Sequence, residues 1–284
     1  MEKVILETIK KYNLFETYST VVVAVSGGAD SMALLHILAN EMSAYHLHLV
    51  VAHVNHKKRE AADLDESLVK EVAKEYNVPC ECYVLPQNEE YENFHSYARS
   101  KRYSFFKSVA ERYGAKCIVT AHHADDHLET FVHRFLYQNT PNGLVGIEPA
   151  MMQGQFKIVR PLIEVTKEKI YKYCLEKGVK FREDESNESE YYTRNRIRKF
   201  IVPPIIAESP TVYRHTRYIS EQLSEDEAYF QDQIANLMKH VIQKEGIYEV
   251  PRSLLKDLPK SLSRRLIKQI LHRFSLRDMT SHHV

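Results

Sequence analysis

Three stretches of this chain crowd chemically capable residues into a few positions. The first is Ser26-Gly27-Gly28-Ala29-Asp30-Ser31, which follows the apolar run Val21–Val25 and precedes a helix-period segment, Met32–Leu38. A strand, a glycine turn and a helix start together make an anion cradle. The glycines accept positive φ and close backbone approach, and the first helical amides point at the bound group. Neither a G-x-x-x-x-G-K-S/T loop nor a G-x-G-x-x-G fingerprint is present. The loop has no lysine, and Asp30 would repel phosphate unless a cation lay between. Asp30 with Mg²⁺ beside a pyrophosphate is the economical reading. An ordinary strand–turn–helix joint, N-capped by Ser or Asp, would use the same residues.

The second stretch is Ala121–Thr130, with His122, His123, Asp125, Asp126 and Glu129. Helical spacing puts Asp126 and Glu129 on nearly one face, with His122 one turn before Asp126. H-x-x-x-D without a third fixed ligand is a weak zinc pattern. The macrodipole favours an acidic helix start and accounts for Asp125 and Glu129 without any chemistry. The third stretch is Tyr191-Tyr192-Thr193-Arg194-Asn195-Arg196-Ile197-Arg198, just after an acidic loop over 183–190. Arg194, Arg196 and Arg198 alternate, so they cannot all share one helix face. Two smaller features are His53, near the end of an apolar run, and Arg99 with Arg102 on a basic helix face of the kind usually just solvated.

Elements that position these residues are legible in the first half. Short β-branched runs at Val21–Val25, Leu47–Val54, Pro79–Leu85 and Lys116–Ala121 alternate with helix-period segments at Ser31–Met42, Ala61–Tyr76, Tyr97–Tyr113 and Asp125–Tyr137. Leu64, Leu68, Val72 and Tyr76 fall four apart and predict one buried stripe. The alternation implies an α/β fold, a Rossmann-like parallel sheet with helices on both faces. Ligands of such a sheet sit beyond its carboxyl edge, at Ser26, His53 and Ala121 onward. After Pro161 the strand pattern fades. A helix is expected from Glu164 or Thr166 to Lys177, a long one from Pro210 to about Lys244, and another over Leu262–Phe274, with Ile247–Val250 extended. The expected division is 1–208, an α/β domain, and 209–284, a smaller mainly helical one. That second part is small for an independent core, and the chain is expected to continue beyond Val284.

Composition narrows the classes. The 284 residues are 44% hydrophobic and 27% charged, neither fibre nor disordered tail. Lys plus Arg number 39 against 38 Asp plus Glu, so no uniform basic coat exists. The sum hides a local stripe: Arg194, Arg196, Arg198, Lys199, Arg214 and Arg217 against Glu208 alone over 191–220. Cys80, Cys82, Cys117 and Cys174 form no C-x-x-C pair, which argues against a disulfide framework or structural zinc. No signal peptide and no bilayer-length apolar run is visible, so a cytoplasmic setting is expected.

The S-G-G-x-D-S loop after a strand resembles the signature of PP-loop (N-type) ATP pyrophosphatases. Val51-Ala52-His53-Val54-Asn55-His56-Lys57-Lys58-Arg59 is similar to a V-x-H-x-x-R strand end of that group. Ala121–Thr130 resembles the A-H-H-x-x-D-x-x-E-T string of the tRNA(Ile)-lysidine synthetases and their tRNA-thiolating relatives. Ala98-Arg99-Ser100-Lys101-Arg102-Tyr103, Gly143-Leu144-Val145-Gly146 and Arg160-Pro161-Leu162 look like further segments of that family. Most discriminating is Asp184-Glu185-Ser186-Asn187 with Tyr191–Arg198, which resembles its D-x-S-N…Y-x-R-N-x-I-R.

The resemblance implies ATP bound by Ser26, Gly27, Gly28, Ala29, Asp30 and Ser31, with His53 beside the adenine and Arg99 on ATP or tRNA phosphate. His53 could equally be a hydrogen-bonded strand-end residue. Asp30, His122, Asp126 and Arg194 are the implied catalytic residues, Asp30 and Asp126 the candidate Mg²⁺ ligands, and Glu129 a weaker candidate. Asn195, Arg196 and Arg198 are assigned to the tRNA, with Asn195 and Arg194 turned to the site. Tyr191, Tyr192 and Phe181 are candidate stacking partners for a base, and Arg264, Arg265, Lys268 and Arg273 could grip the tRNA stem. The implied reaction joins free L-lysine to C2 of the wobble cytidine of tRNA(Ile) with anticodon CAU, through an adenylated intermediate, releasing pyrophosphate and AMP. A homodimer is a further expectation. The alternatives are a PP-loop tRNA 2-thiolation enzyme, which would need its cysteines, and a nucleotide- or RNA-binding module with a degenerate loop.

Overall fold

The computed structural model describes residues 1–42, 45–57, 61–86, 94–138, 141–183, 193–244, 247–256 and 258–273. Alternating strands and helices run β1 (Thr20–Ala24), α2 (Ala29–Asn40), β2 (His48–Asn55), α3 (Ala61–Glu75), β3 (Cys80–Val84), α4 (Phe94–Arg112), β4 (Cys117–Val119) and α5 (Ala124–Tyr137). A helix α1 (Glu2–Lys11) precedes them. A hairpin of β5 (Ala150–Gln153) and β6 (Phe156–Val159) and helix α6 (Lys167–Lys177) follow. The strand order is β3-β2-β1-β4-β6-β5, parallel throughout except that β5 runs antiparallel to β6.

Period-two alternation along the strands builds two layers. Val21, Val23 and Val25 of the β1 segment pack with α1, α2, α3 and α6 on one face, through residues such as Ile5, Leu34, Val69 and Ile170. Val22, with Val50, Ala52 and Val54 of β2, meets Phe106, Val109 and Ala110 of α4 on the other face. The expected doubly covered parallel sheet is therefore present. Helix α2 is buried almost all round, as its apolar sequence requires.

Several expectations are corrected in detail. Leu64 of α3 is 55% exposed, whereas Leu68, Val72 and Tyr76 of the expected stripe do pack on the core, beside buried Ala62, Asp65, Val69 and Ala73. Asp65 displaces Leu64 because it answers Arg182, described below. The β5–β6 hairpin was hidden by its exposed Met151 and Met152 and its two-residue link, Gly154-Gln155, where Gly154 takes φ +66°. Beyond α6, the basic segment is helical from residue 193 to 208: α7 (Thr193–Arg196), a widened π-helical turn (Ile197–Ile201) and α8 (Val202–Glu208). The widening has a cause in Pro203 and Pro204, which have no N–H to return to the preceding turn.

The chain divides into two compact units, one of Met1–Asn139 with Gly146–Arg217, the other of Thr140–Val145 with Tyr218–Val284. The first unit thus runs past residue 208, because Val212 and Tyr213 pack on Leu128, Val132, Ile197 and Val202. Helix α9 (Val212–Met238) stops short of Lys244. The β-branched run there pairs as β7 (Ile242–Lys244) with β8 (Ile247–Glu249). Ile234, Leu266 and Ile270 centre the second unit's core, with α10 (Arg252–Lys256) and α11 (Lys260–Arg273). Arg265 of α11 is spent within that core, paired with Glu227 at 2.9 Å and lying 4.1 Å over Phe230, rather than presented to a partner.

Gly146 carries a sharp steric requirement. It has φ +69°, and a Cβ there would lie 2.7 Å from Cε1 of buried His127. Gly146→Ala is expected to cost about 2–4 kcal/mol, from left-handed strain plus overpacking. Urea denaturation checks this, and a change below about 0.5 kcal/mol would refute the contact.

Candidate active site

From β1 the chain moves outward to β2 and β3, then returns to β4 on the opposite side of β1. The carboxyl ends of β1 and β4 therefore frame the switch-point crevice of the sheet. The loop after β1 and the start of α5 both open there.

The loop is braced from three sides. Ser31 Oγ accepts from the Ser26 amide at 3.0 Å and donates to the Gly28 carbonyl at 3.0 Å. Gly27 takes φ +94°, and a Cβ there would lie 3.3 Å from Asp65 Cβ. Arg182 closes the third side. Its amide donates to the Gly27 carbonyl at 3.0 Å, and its Nε meets Asp65 at 2.9 Å. Ser26, Gly27, Gly28, Ala29, Asp30 and Ser31 thus sit together, with Gly28 extended as the N-cap of α2. Asp30 does have a cation beside it: Lys167 Nζ reaches both carboxylate oxygens, at 2.6 and 2.7 Å. Lys167 opens α6, five residues beyond the Arg160-Pro161-Leu162 segment. Its position after Thr166 was a helix-start signal, not a site signal, so sequence reasoning missed it.

At the start of α5, the buried His123 ring lies 3.4 Å from both Asp125 and Asp126 and 3.8 Å from Asp30. Burial alone would depress its pKa, but these three carboxylates outweigh burial and raise it. His122, one residue earlier, goes the other way. Burial pushes it down to about 4, helped by Arg160, Arg99 and Arg194 and opposed by Asp126. Its Nδ1 sits 2.9 Å from Thr120 Oγ1. For Asp125 burial works upward, yet bonds from His123, Tyr213 and the Lys167 amide hold it near 2. For Asp126 burial is likewise overcome, by His123, His122 and Arg194, and the carboxyl titrates below its ordinary range.

Behind these, Glu129 is 2% exposed and receives two guanidiniums. Arg194 donates to it at 3.1 Å and to Asp126 at 2.8 Å. Arg198 donates to it through two nitrogens, at 2.6 and 2.9 Å. Arg194 and Arg198 are one turn apart across the helical segment, so they clamp one target while Arg196 turns to Thr193 Oγ1 at 3.1 Å. The structure therefore brings His122, Asp126, Arg194 and Glu129 together, and it turns Arg198 to Glu129 instead of outward. Asn195 is half-buried on the same segment.

Other expected residues stand apart. His53 is 2% exposed, and its Nδ1 lies 2.8 Å from the Val25 carbonyl, just before the loop. Its Nε2 has no hydrogen-bond partner among the described residues. Arg99 stacks over Tyr103 at 5.0 Å on α4. Phe181 packs edge-on to Tyr171 and against the core. Tyr191, Tyr192 and the 184–187 motif lie outside the described residues, as does the Arg273 side chain. Among the described residues, no group of three His, Cys, Asp or Glu is arranged to hold a metal by itself.

Residues 1–205 match the PP-loop domain family. The chain belongs to that family of ATP-using domains. It is 36% identical over 277 residues to a Bacillus subtilis protein named tRNA(Ile)-lysidine synthase, covering 95% of this chain and 58% of that one. A Shouchella clausii protein of the same name is 35% identical, with 96% and 60% covered. The chain thus spans a little over half the length of these relatives. Among solved structures, the U34-tRNA thiolase NcsA of Methanococcus maripaludis, with its iron–sulfur cluster, superposes with a TM-score of 0.66 at 14% identity. The overlap covers 79% of this chain and 78% of that one, a likeness of fold.

Two outcomes follow from the PP-loop site. Glu129→Gln removes the charge that both guanidiniums share. Breaking a buried pair costs about 3–5 kcal/mol, and because both arginines stay partly exposed about 2 kcal/mol is expected here. Faster amide exchange over 193–201 should accompany the loss, and unchanged exchange would refute the clamp. Second, the two adjacent histidines should titrate apart. The raised His123 contributes stability below its unfolded pKa of about 6.5, lost as pH rises through its folded value. His122, depressed, contributes above about 6.5, and that is lost as pH falls toward 4. Nitrogen-15 imidazole shifts at pH 6.5 should show His123 protonated and His122 neutral; the reverse order would overturn the assignment.

Proposed function

We propose that this chain ligates L-lysine to C2 of the wobble cytidine of tRNA(Ile) with anticodon CAU, splitting ATP into AMP and pyrophosphate. The observation that carries the reading is the match to tRNA(Ile)-lysidine synthases along 95% of the chain, spanning every element of the site. In the first step the cytosine O2 attacks the α-phosphorus and pyrophosphate leaves. In the second, the lysine amine attacks C2, AMP leaves and the amine gives up a proton.

The residues divide between these steps. The amides of Gly27–Asp30 and Lys167 face the departing pyrophosphate, where preorganised donors stabilise developing charge. Asp30 and Asp126, which flank His123, are the carboxylates that would hold a Mg²⁺ together with the nucleotide. Such an ion would neutralise the leaving group. Arg194, itself held by Glu129, orients Asp126 directly. Between the two proton acceptors proposed for lysine, His122 and Asp126, the geometry favours His122. It is neutral at working pH, whereas Asp126 is engaged by Arg194 and by the His123 amide at 3.1 Å. The target base has to be single-stranded to be reached, and a tRNA substrate is in keeping with the cytoplasmic setting expected from the sequence. No helix among the described residues is long and apolar enough to cross a membrane.

Thiolation is disfavoured by the thiols themselves. Burial pushes Cys80 and Cys117 up to about 12 and Cys174 to about 11. Protonated, buried thiols are poor nucleophiles. Cys80 and Cys82 lie together on β3, the edge strand farthest from β4 on that side.

The deciding experiment mixes the chain with ATP, labelled lysine and unmodified tRNA(Ile) bearing CAU. Label in the tRNA with equal AMP is expected, and sulfur transfer without lysine incorporation would refute the reading. His122→Ala should leave tRNA-dependent pyrophosphate release largely intact and slow lysine transfer by about 10²-fold or more. Equal loss in both steps would remove His122 from the second.

A further inference from the structure

A cleft of about 340 Å³ lies in the first unit between α4 and the β5–β6 hairpin, and the reaction steps above do not use it. Helix α4 lines it with two rows at helical spacing. One row is Arg99, Tyr103 and Lys107; the other is Ser96, Ser100 and Ser104. From the hairpin side come Gln153 and Arg160, and no carboxylate is among the lining residues.

Two of these groups each keep one unmet atom. Arg160 is 4% exposed; its Nη1 donates to the Glu148 carbonyl at 2.6 Å and its Nη2 to Met151 Sδ at 3.2 Å, and its guanidinium also bonds the Tyr103 side chain. Its Nε, like Gln153 Oε1, is buried with no hydrogen-bond partner among the described residues. Buried polar atoms in folded proteins are nearly always satisfied, so a donor and an acceptor left open in one cleft point to a ligand that supplies both.

The chemistry of that ligand is constrained. Three cations and a row of hydroxyls call for an anion with several oxygens. The open carboxamide oxygen calls for a donor on the same molecule. Ser96 to Lys107 extends about 16 Å along the helix, too long for a single small anion. A cationic groove with hydroxyls and an aromatic ring is how proteins follow a single strand, and a ribose 2′-hydroxyl is a donor that DNA lacks.

We propose that this cleft is a track for the single-stranded backbone of the RNA substrate. Arg99, Lys107 and Arg160 meet its phosphates, and Gln153 accepts from a ribose hydroxyl. The inference rests on the tRNA reading above and deepens it by giving the strand a path outside the nucleotide loop.

The test uses the full chain and a fluorescent single-stranded oligoribonucleotide of the CAU anticodon loop, with its deoxy counterpart, titrated across a salt series. Lys107→Gln and Lys107→Glu should weaken RNA binding by roughly three- to tenfold and lower the salt slope by about 0.7, the signature of one lost phosphate. ATP affinity and melting temperature should stay unchanged. Gln153→Ala should narrow the preference for RNA over DNA. RNA affinity and slope unchanged in both Lys107 variants, while lysine incorporation persists, would overturn the track and leave the ligase reading standing. ATP affinity falling in step with RNA affinity would assign the cleft to the triphosphate and overturn it as well. If the wild-type chain binds no RNA, both readings fall.

Discussion

Four carboxylates, Asp30, Asp125, Asp126 and Glu129, converge at the carboxyl edge of β1 and β4, and like charges so close cannot all stay ionised unaided. Each is answered by a group from another part of the chain. Lys167 at the start of α6 holds Asp30. Tyr213 and the Lys167 amide hold Asp125. Arg194 and Arg198 hold Asp126 and Glu129. The site is therefore also the place where the α6 start, the 193–201 segment and the first turn of α9 are fastened to the sheet. A substitution at one carboxylate changes both the charge offered to substrate and the position of a distant segment.

This coupling explains what could be read from the sequence. The loop at Ser26 and the cluster at His122 were legible because each is local: strand, turn and helix follow in order, so spacing reports geometry. Lys167 and Arg182 were not legible, because each meets its target, Asp30 or Asp65, across more than a hundred residues. The expected α3 stripe failed at Leu64 for the same reason, while Leu68, Val72 and Tyr76 do meet the core. Helical periodicity ranks positions by apolar content, whereas α3 turns Asp65 inward to pair with Arg182. The alternation of Arg194, Arg196 and Arg198 did carry information. It excluded one shared face, and the structure divides them into a one-turn pair on Glu129 and a third residue turned away.

The 193–208 segment shows a local rule yielding to a larger constraint. Two consecutive prolines would ordinarily mark the end of a helix. Here they enter at the first turn of α8, where a missing N–H is tolerated, and the preceding turn widens to absorb the lost bonds. The widened turn begins at buried Ile197, between the two arginines, and packs its apolar side on Leu128 and Val132. The same contact that buries Ile197 brings Arg194 and Arg198 over Glu129.

The near-zero charge sum acquires a physical meaning from these pairings. A free run of arginines would attract any polyanion through counterion release, without discrimination. In this chain two of the arginines in the 194–198 run face carboxylates, so the charge there is local and directional, and its long-range field is cancelled. The α4 cleft has the opposite character, since Arg99, Lys107 and Arg160 line it and no carboxylate is among its lining residues. Paired cations suit a site that must hold reacting groups in place, because their geometry is fixed before substrate arrives. Cations in a cleft that no carboxylate lines suit a surface that follows a backbone, because their charge is available to it. The protein keeps the two kinds on different elements, the first on the helical segment after residue 192 and the second on α4 and the hairpin. Under the proposed function, that separation lets attraction of the strand and chemistry on its base be set independently.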